Sequence, residues 1–187
     1  MIINSEFYWK HIDIDDYDNI IDEIRYCMTD ELKNTVYPYG FSVYNNKSKF
    51  HENCGLFMNW ADNHSLKIRR IAVIKLPPNR TQDIHRDCIE DLTNTYGLNL
   101  NLYNCENSYT RMFELIDENY VPETSYTSDG RPFIPYQKSH CREVTRYNLS
   151  KPVLLDLNKL HSVVNNTNDT RISISIRFTT KPDLLIN

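Results

Sequence analysis

Two imidazoles and one carboxylate gathered on one face of a metal ion make the donor set of mononuclear non-haem iron(II) sites for oxygen chemistry, because three coordination positions stay open. The 187-residue sequence offers such a set in His85-Arg86-Asp87 and, much further along, His161. On a strand, positions i and i+2 project to the same face, so His85 and Asp87 can reach one ion while Arg86 points away. The doublet alone says little: 6 His and 25 acidic residues yield about one His-x-acid match by chance. His11-Ile12-Asp13 is a second match, but it precedes a helix and has no downstream partners at suitable spacing, so His11 is expected at the surface.

Ten residues after His161 stands Arg171, opening a segment that alternates Arg171, Ser173, Ser175 and Arg177 with Ile172, Ile174, Ile176 and Phe178. A strand with such a polar face is ordinary if that face meets solvent. Next to His161 it reads instead as the wall of a site.

These residues need a scaffold of strands. From residue 66 onward the apolar pattern has period two, the signature of strands with one buried face. Eight strands are expected: Arg69 to Leu76, Gln82 to Asp87, Leu98 to Tyr103, Thr110 to Leu115, Glu143 to Leu149, Val153 to Leu157, His161 to Asn165, and Arg171 to Phe178. Their short polar connections suit antiparallel pairing, and their number suits a double-sheet jelly roll. Two connections are longer: Cys88 to Gly97, with room for a helical turn, and an insert over 116–142, too long for an idle turn and expected to lie as a lid over the barrel mouth. Upstream, Tyr17, Ile20, Ile21, Ile24, Met28 and Leu32 follow the i, i+3, i+4, i+7 rule and predict one amphipathic helix over 16–34, capped by Asp15 or Asp16. Residues 35–65 lack a sustained period and are expected to be loops, short strands and at most a helical turn.

The chain is expected to be one mainly β (α+β) domain, with a helical and irregular part over 1–65 and a β core over 66–180. Its formal net charge of -4 supplies no basic footprint for nucleic acid. Lys67, Arg69 and Arg70 form a local basic cluster, more simply a solvated strand face. No apolar run approaches the roughly 18 residues that cross a bilayer, and five cysteines without a CxxC pair fit reduced thiols in a cytoplasm.

The segment from Arg69 to Phe178 resembles the double-stranded β-helix of the Fe(II), 2-oxoglutarate-dependent oxygenases. Their motif is His-x-Asp, a distal His, then Arg about ten residues on, often with Ser or Thr two positions later; here it reads His85-Arg86-Asp87, His161, Arg171-Ile172-Ser173. The stretches from Leu98 to Cys105 and from Arg171 to Phe178 are similar to small phage and bacterial members related to aspartyl/asparaginyl and prolyl hydroxylases. The resemblance implies iron held by His85, Asp87 and His161, with 2-oxoglutarate and O2 as co-substrates yielding succinate and CO2. It further implies Arg171 on the distal carboxylate, assisted by the Ser173 hydroxyl, since a guanidinium is always charged and binds carboxylate through two parallel contacts. Asn101 and then Asn99 are the next residues it points to as co-substrate contacts.

One departure is the lack of glycine between Ile84 and Tyr96, in the loop that commonly shapes a substrate pocket. Two other classes stay open: a cupin-like jelly roll that binds without oxidising, and a metal enzyme that does not use 2-oxoglutarate. Arg86 and Arg177 fit either an acidic substrate or surface ion pairs, and Cys88 and Cys105 are expected to be small buried hydrophobes. His51, His64 and His140 are expected in solvated loops. The prime substrate, a peptide side chain or a small metabolite, is not written in the sequence.

Overall fold

The computed structural model describes residues 8–29, 40–43, 47–87, 96–123, 125–126 and 132–186. Strands form at β1 (Trp9–His11), β2 (Gly40–Val43), β3 (Ile68–Leu76), β4 (Arg80–Thr81), β5 (Ile84–His85), β6 (Tyr96–Tyr103), β7 (Tyr109–Leu115), β8 (Ser125–Tyr126), β9 (Pro132–Phe133), β10 (Pro135–Tyr136), β11 (Cys141–Asn148), β12 (Val153–Asp156), β13 (Leu160–Asn165) and β14 (Arg171–Phe178). Helices are α1 (Tyr17–Cys27), α2 (Lys47–Asn53), α3 (Gly55–Asn63) and α4 (Asp183–Ile186), with a 3-10 turn at Lys138–His140. Among the described residues no helix is long and apolar enough to cross a membrane.

One sheet runs β1-β12-β6-β14-β3-β2 and the other β10-β5-β13-β7-β11, with β4 also paired to β13. Every pairing is antiparallel. The eight expected strands correspond to β3, β5, β6, β7, β11, β12, β13 and β14, so the period-two signal located the jelly roll. β5 is the exception in length. Against β13, the segment before Asp87 pairs only in short pieces, Arg80 and Thr81 with Asn165 and Val164, and His85 with His161.

The alternation along each strand divides the core in two. Outward residues of the first sheet, among them Leu98, Leu100, Ile174 and Ile176, pack under Ile20, Ile24, Phe50 and Phe57 of α1, α2 and α3 in one continuous apolar cluster. At roughly 1.5–3 kcal/mol for each fully buried large apolar side chain, this layer is the main attachment of the helices to the β core. Arg25 ties α1 to the end of β6, donating from Nε (3.0 Å) and Nη2 (2.6 Å) to the Leu102 carbonyl. A second cluster fills one end of the interior between the sheets, where Met112, Tyr147, Val153 and Leu155 meet, with Trp9 of β1 packed against them.

Several expectations are corrected. α2 and α3 occupy a stretch expected to be mostly loop. The helical part covers the outer face of the first sheet. Helix α1 begins after Asp16, whose φ of 55° is left-handed and whose side chain makes no capping bond, and it ends at Cys27; residues 30–39 lie outside the described residues. Instead of covering the mouth, the described part of the 116–142 insert runs along the outer face and edge of the second sheet. There Pro135 and Tyr136 pair with His85 and Ile84, while Tyr136 joins the Ile84, Phe113, Cys141 and Leu160 cluster. Residues 88–95, the expected helical turn with Cys88, lie outside the described residues.

Candidate metal centre

His85 and His161 face each other across β5 and β13, in register, with ring centroids 4.5 Å apart. Asp87, two residues past His85, brings Oδ1 to 4.0 Å from His85 Nε2. Ligand atoms of all three lie within 4.8 Å of one another. An ion between them would be held by one ligand atom from each of the three residues. Both rings are oriented from behind: His85 Nδ1–H donates to the Asp83 carbonyl at 2.8 Å and His161 Nδ1–H to the Lys159 carbonyl at 2.9 Å. That tautomer leaves each Nε2 with a lone pair for a metal, which is how backbone carbonyls orient histidine ligands.

The electrostatics favour the ligating forms. Burial, reinforced by the neighbouring His85, pushes the His161 imidazole down to about 4, so it is neutral at neutral pH. Burial works to raise the Asp87 carboxyl, but His161, Arg177, His85 and Arg70 outweigh it and hold the group below the usual carboxylate range. Arg177 acts by direct contact, donating from Nη2 to Asp87 Oδ2 at 2.7 Å. Arg86 points away from the metal side, its guanidinium 5.6 Å from the Tyr136 ring centroid.

Deeper along β14, Arg171 is only 3% exposed. Its Nε donates to Ser108 Oγ at 2.9 Å and its Nη1 to Ser173 Oγ at 3.1 Å. Among the described residues no carboxylate forms an ion pair with it. A buried guanidinium satisfied only by hydroxyls lacks the counter-charge that makes burial of a cation tolerable. Around it the Asn99 and Asn101 amide oxygens and the Tyr147 hydroxyl are buried without hydrogen-bond partners. Asn101 Nδ2 donates to Glu106 Oε1 at 2.7 Å. Tyr147 approaches Thr110 and Asn99 without completing a bond to either, and burial raises its phenol. The Arg171 guanidinium and the Tyr147 hydroxyl are donors open to an acidic ligand, whereas the two amide oxygens are acceptors that call for a donor.

The sequence candidates therefore fall into two groups on the barrel interior: His85, Asp87 and His161 in one, Arg171 and Ser173 in the other, with Asn99 and Asn101 on the neighbouring strand opposite Ser175 and Ser173. Tyr103, on the same face as the two asparagines, is 41% exposed and lies under the Arg25 guanidinium. His11 is exposed as expected and so is His51, though on helix α2 rather than in a loop, while His64 is half-buried against Trp60 and His140 stacks on Tyr120. Arg70, expected on a solvated face, stands opposite Arg177 on β3 and acts on Asp87. Sequence reasoning missed Ser108 and Tyr147, whose loop and strand settings carry no distinguishing pattern. For Arg177, the alternation of β14 already placed it on the same face as Arg171.

No sequence-family model matches the chain, and no curated protein matches it. Solved structures do match by shape. The carbocyclase SnoK, described as non-heme and alpha ketoglutarate dependent, aligns with a TM-score of 0.54 and 9% identity over 91% of this chain and 79% of its own. The epimerase SnoN, in complex with Fe3+, alpha ketoglutarate and nogalamycin RO, aligns with a TM-score of 0.53 and 12% identity over 90% and 77%. This chain has the fold of the Fe(II), 2-oxoglutarate oxygenases. The non-heme monooxygenase ThoJ shares it too, with a TM-score of 0.50 and 11% identity over 91% of this chain and 71% of that one. On this double-stranded β-helix, the His-x-Asp pair and the distal His stand on adjacent strands of one sheet, and the arginine stands on the sheet facing them.

Proposed function

We propose that the chain is an Fe(II)- and 2-oxoglutarate-dependent oxygenase, with the metal held by His85, Asp87 and His161. The observation that carries this reading is the pairing of two features inside one barrel: three ligand atoms within 4.8 Å, and a buried arginine without a carboxylate partner among the described residues. Each alone has ordinary explanations. Together they match the two ends of a keto acid, one chelating and one anionic.

When bound, iron with 2-oxoglutarate and O2 supplies oxidative decarboxylation to succinate and CO2, coupled to oxidation of a substrate C–H bond. The residues do the rest. His85 and His161 stay aimed because their Nδ1–H groups are held by backbone carbonyls, and burial keeps His161 neutral. Asp87 supplies the single negative charge of the donor set. Arg171 takes the distal carboxylate, with Ser173 and Ser108 orienting its guanidinium and the Ser173 hydroxyl available to the same anion, since Ser108 already donates to the Cys105 carbonyl. Asn99, Asn101 and Tyr147 offer open polar atoms along the way. The prime substrate is a peptide side chain or a small metabolite.

The test is succinate formation from 2-oxoglutarate by the purified chain with Fe(II) and ascorbate, measured without prime substrate to capture slow uncoupled turnover. Succinate above the metal-free control supports the reading. A protein that binds Fe(II) tightly but neither binds nor decarboxylates 2-oxoglutarate is a metal enzyme of another kind.

A further inference from the structure

Arg177 is placed in a way that stability alone does not explain. Its Nη2 holds Asp87 Oδ2 at 2.7 Å, while Asp87 Oδ1 is the oxygen near His85 Nε2, at 4.0 Å. The two oxygens of one carboxylate are thus divided between a guanidinium and the candidate metal position. Arg177 Nε lies on the same edge of the planar group as Nη2, and it is buried with no acceptor. An unsatisfied buried donor costs about 1–3 kcal/mol. Arg177 also sits opposite Arg70 in the β14–β3 register, and like charges in directly opposed strand positions are unfavourable. A residue selected for an ion pair would not carry both penalties.

We propose that Arg177 is a positioning residue: by occupying Oδ2 it presents Asp87 to the metal through Oδ1 alone. Asp87 is then a one-oxygen ligand that cannot swing round to chelate, and the coordination positions a second oxygen would take stay open for ligands. This rests on the metal-centre reading above. Outer partners of this kind typically change metal affinity by about 10–100-fold when removed.

The experiment uses the full chain stripped of metal and titrated with Co(II), followed by calorimetry and by the visible absorption of the bound ion. Wild type should bind one Co(II). Arg177→Met should bind it about 10–100-fold more weakly, with a changed visible spectrum at saturation as Asp87 moves to two-oxygen ligation. Arg177→Lys, which keeps the charge and one donor, should recover part of the loss. A purely structural role predicts lower thermal stability but an unaltered spectrum of the loaded site. Matching affinity and spectrum in wild type and Arg177→Met would overturn the proposal. Should Arg177→Met fail to fold by circular dichroism, Arg177→Gln and Arg177→Lys are read against the same two outcomes. Absence of Co(II) binding in wild type would overturn the metal centre itself, a different result from binding that ignores Arg177.

Discussion

His85 and His161 are direct cross-strand partners on β5 and β13, and their rings approach to 4.5 Å between centroids. With each Nδ1 bonded to a backbone carbonyl, both Nε2 atoms are left for an ion that Asp87 can share. His161→Ala and Asp87→Ala are therefore expected to lower iron retention after desalting, measured by metal analysis, while leaving circular dichroism unchanged. Equal metal content in both variants and wild type would move the site elsewhere.

Arg171→Ala should act on the other end of the pocket. Losing a charge-assisted contact worth roughly 1.5–3 kcal/mol weakens 2-oxoglutarate by about 10- to 150-fold. Metal affinity should hold, since His85, Asp87 and His161 do not contact Arg171 in any hydrogen bond or ion pair among the described residues. Calorimetry with each ligand separately distinguishes the two effects; a parallel loss of both would contradict the separate assignment.

Acid should destabilise the metal-free protein through His161. Unfolded, its imidazole takes a proton near 6.5, but folded it does so only at about 4. Between these values the unfolded state binds more protons, so stability falls as pH drops from about 6.5 towards 4. Asp87 adds a further loss at still lower pH, because its depressed carboxyl must be protonated. Urea midpoints of metal-free wild type and His161→Gln, compared at pH 7 and pH 5, check this. Wild type should lose more, and identical pH responses would count against it.

Phe57→Ala should destabilise the fold by about 3–5 kcal/mol, since Phe57 is fully buried between α3 and the first sheet. The metal centre lies on the other sheet, so the folded fraction should bind Co(II) as wild type does. A changed Kd would reveal coupling through β14.

Most strands were legible because one face is wet or polar and the other apolar, and β14 displays both in eight residues, whereas β12 is apolar and buried on both faces. The same alternation phased His161, Arg171 and Ser173 onto the interior. The helices over 47–63 were harder. Phe50, Cys54, Phe57 and Ala61 do keep a helical period, but Gly55 and the junction at Cys54 break it into two short helices. The insert misled because an apolar sheet face set to receive it, Ile84, Phe113 and Leu160, is scattered over three strands and becomes one surface only after folding. Arg177 was left between two roles because its partner Asp87 is 90 residues away in sequence.

The shortness of β5 has a further consequence. One of the three donors rides on a strand of two residues, gripped by β13 on one side and by Pro135 and Tyr136 on the other. Trimming or tugging the 116–142 segment would therefore loosen the bearing of the His85 ring well before either sheet gave way. Amide exchange at Ile84 and His85, read in a shortened variant, would register that early slackening.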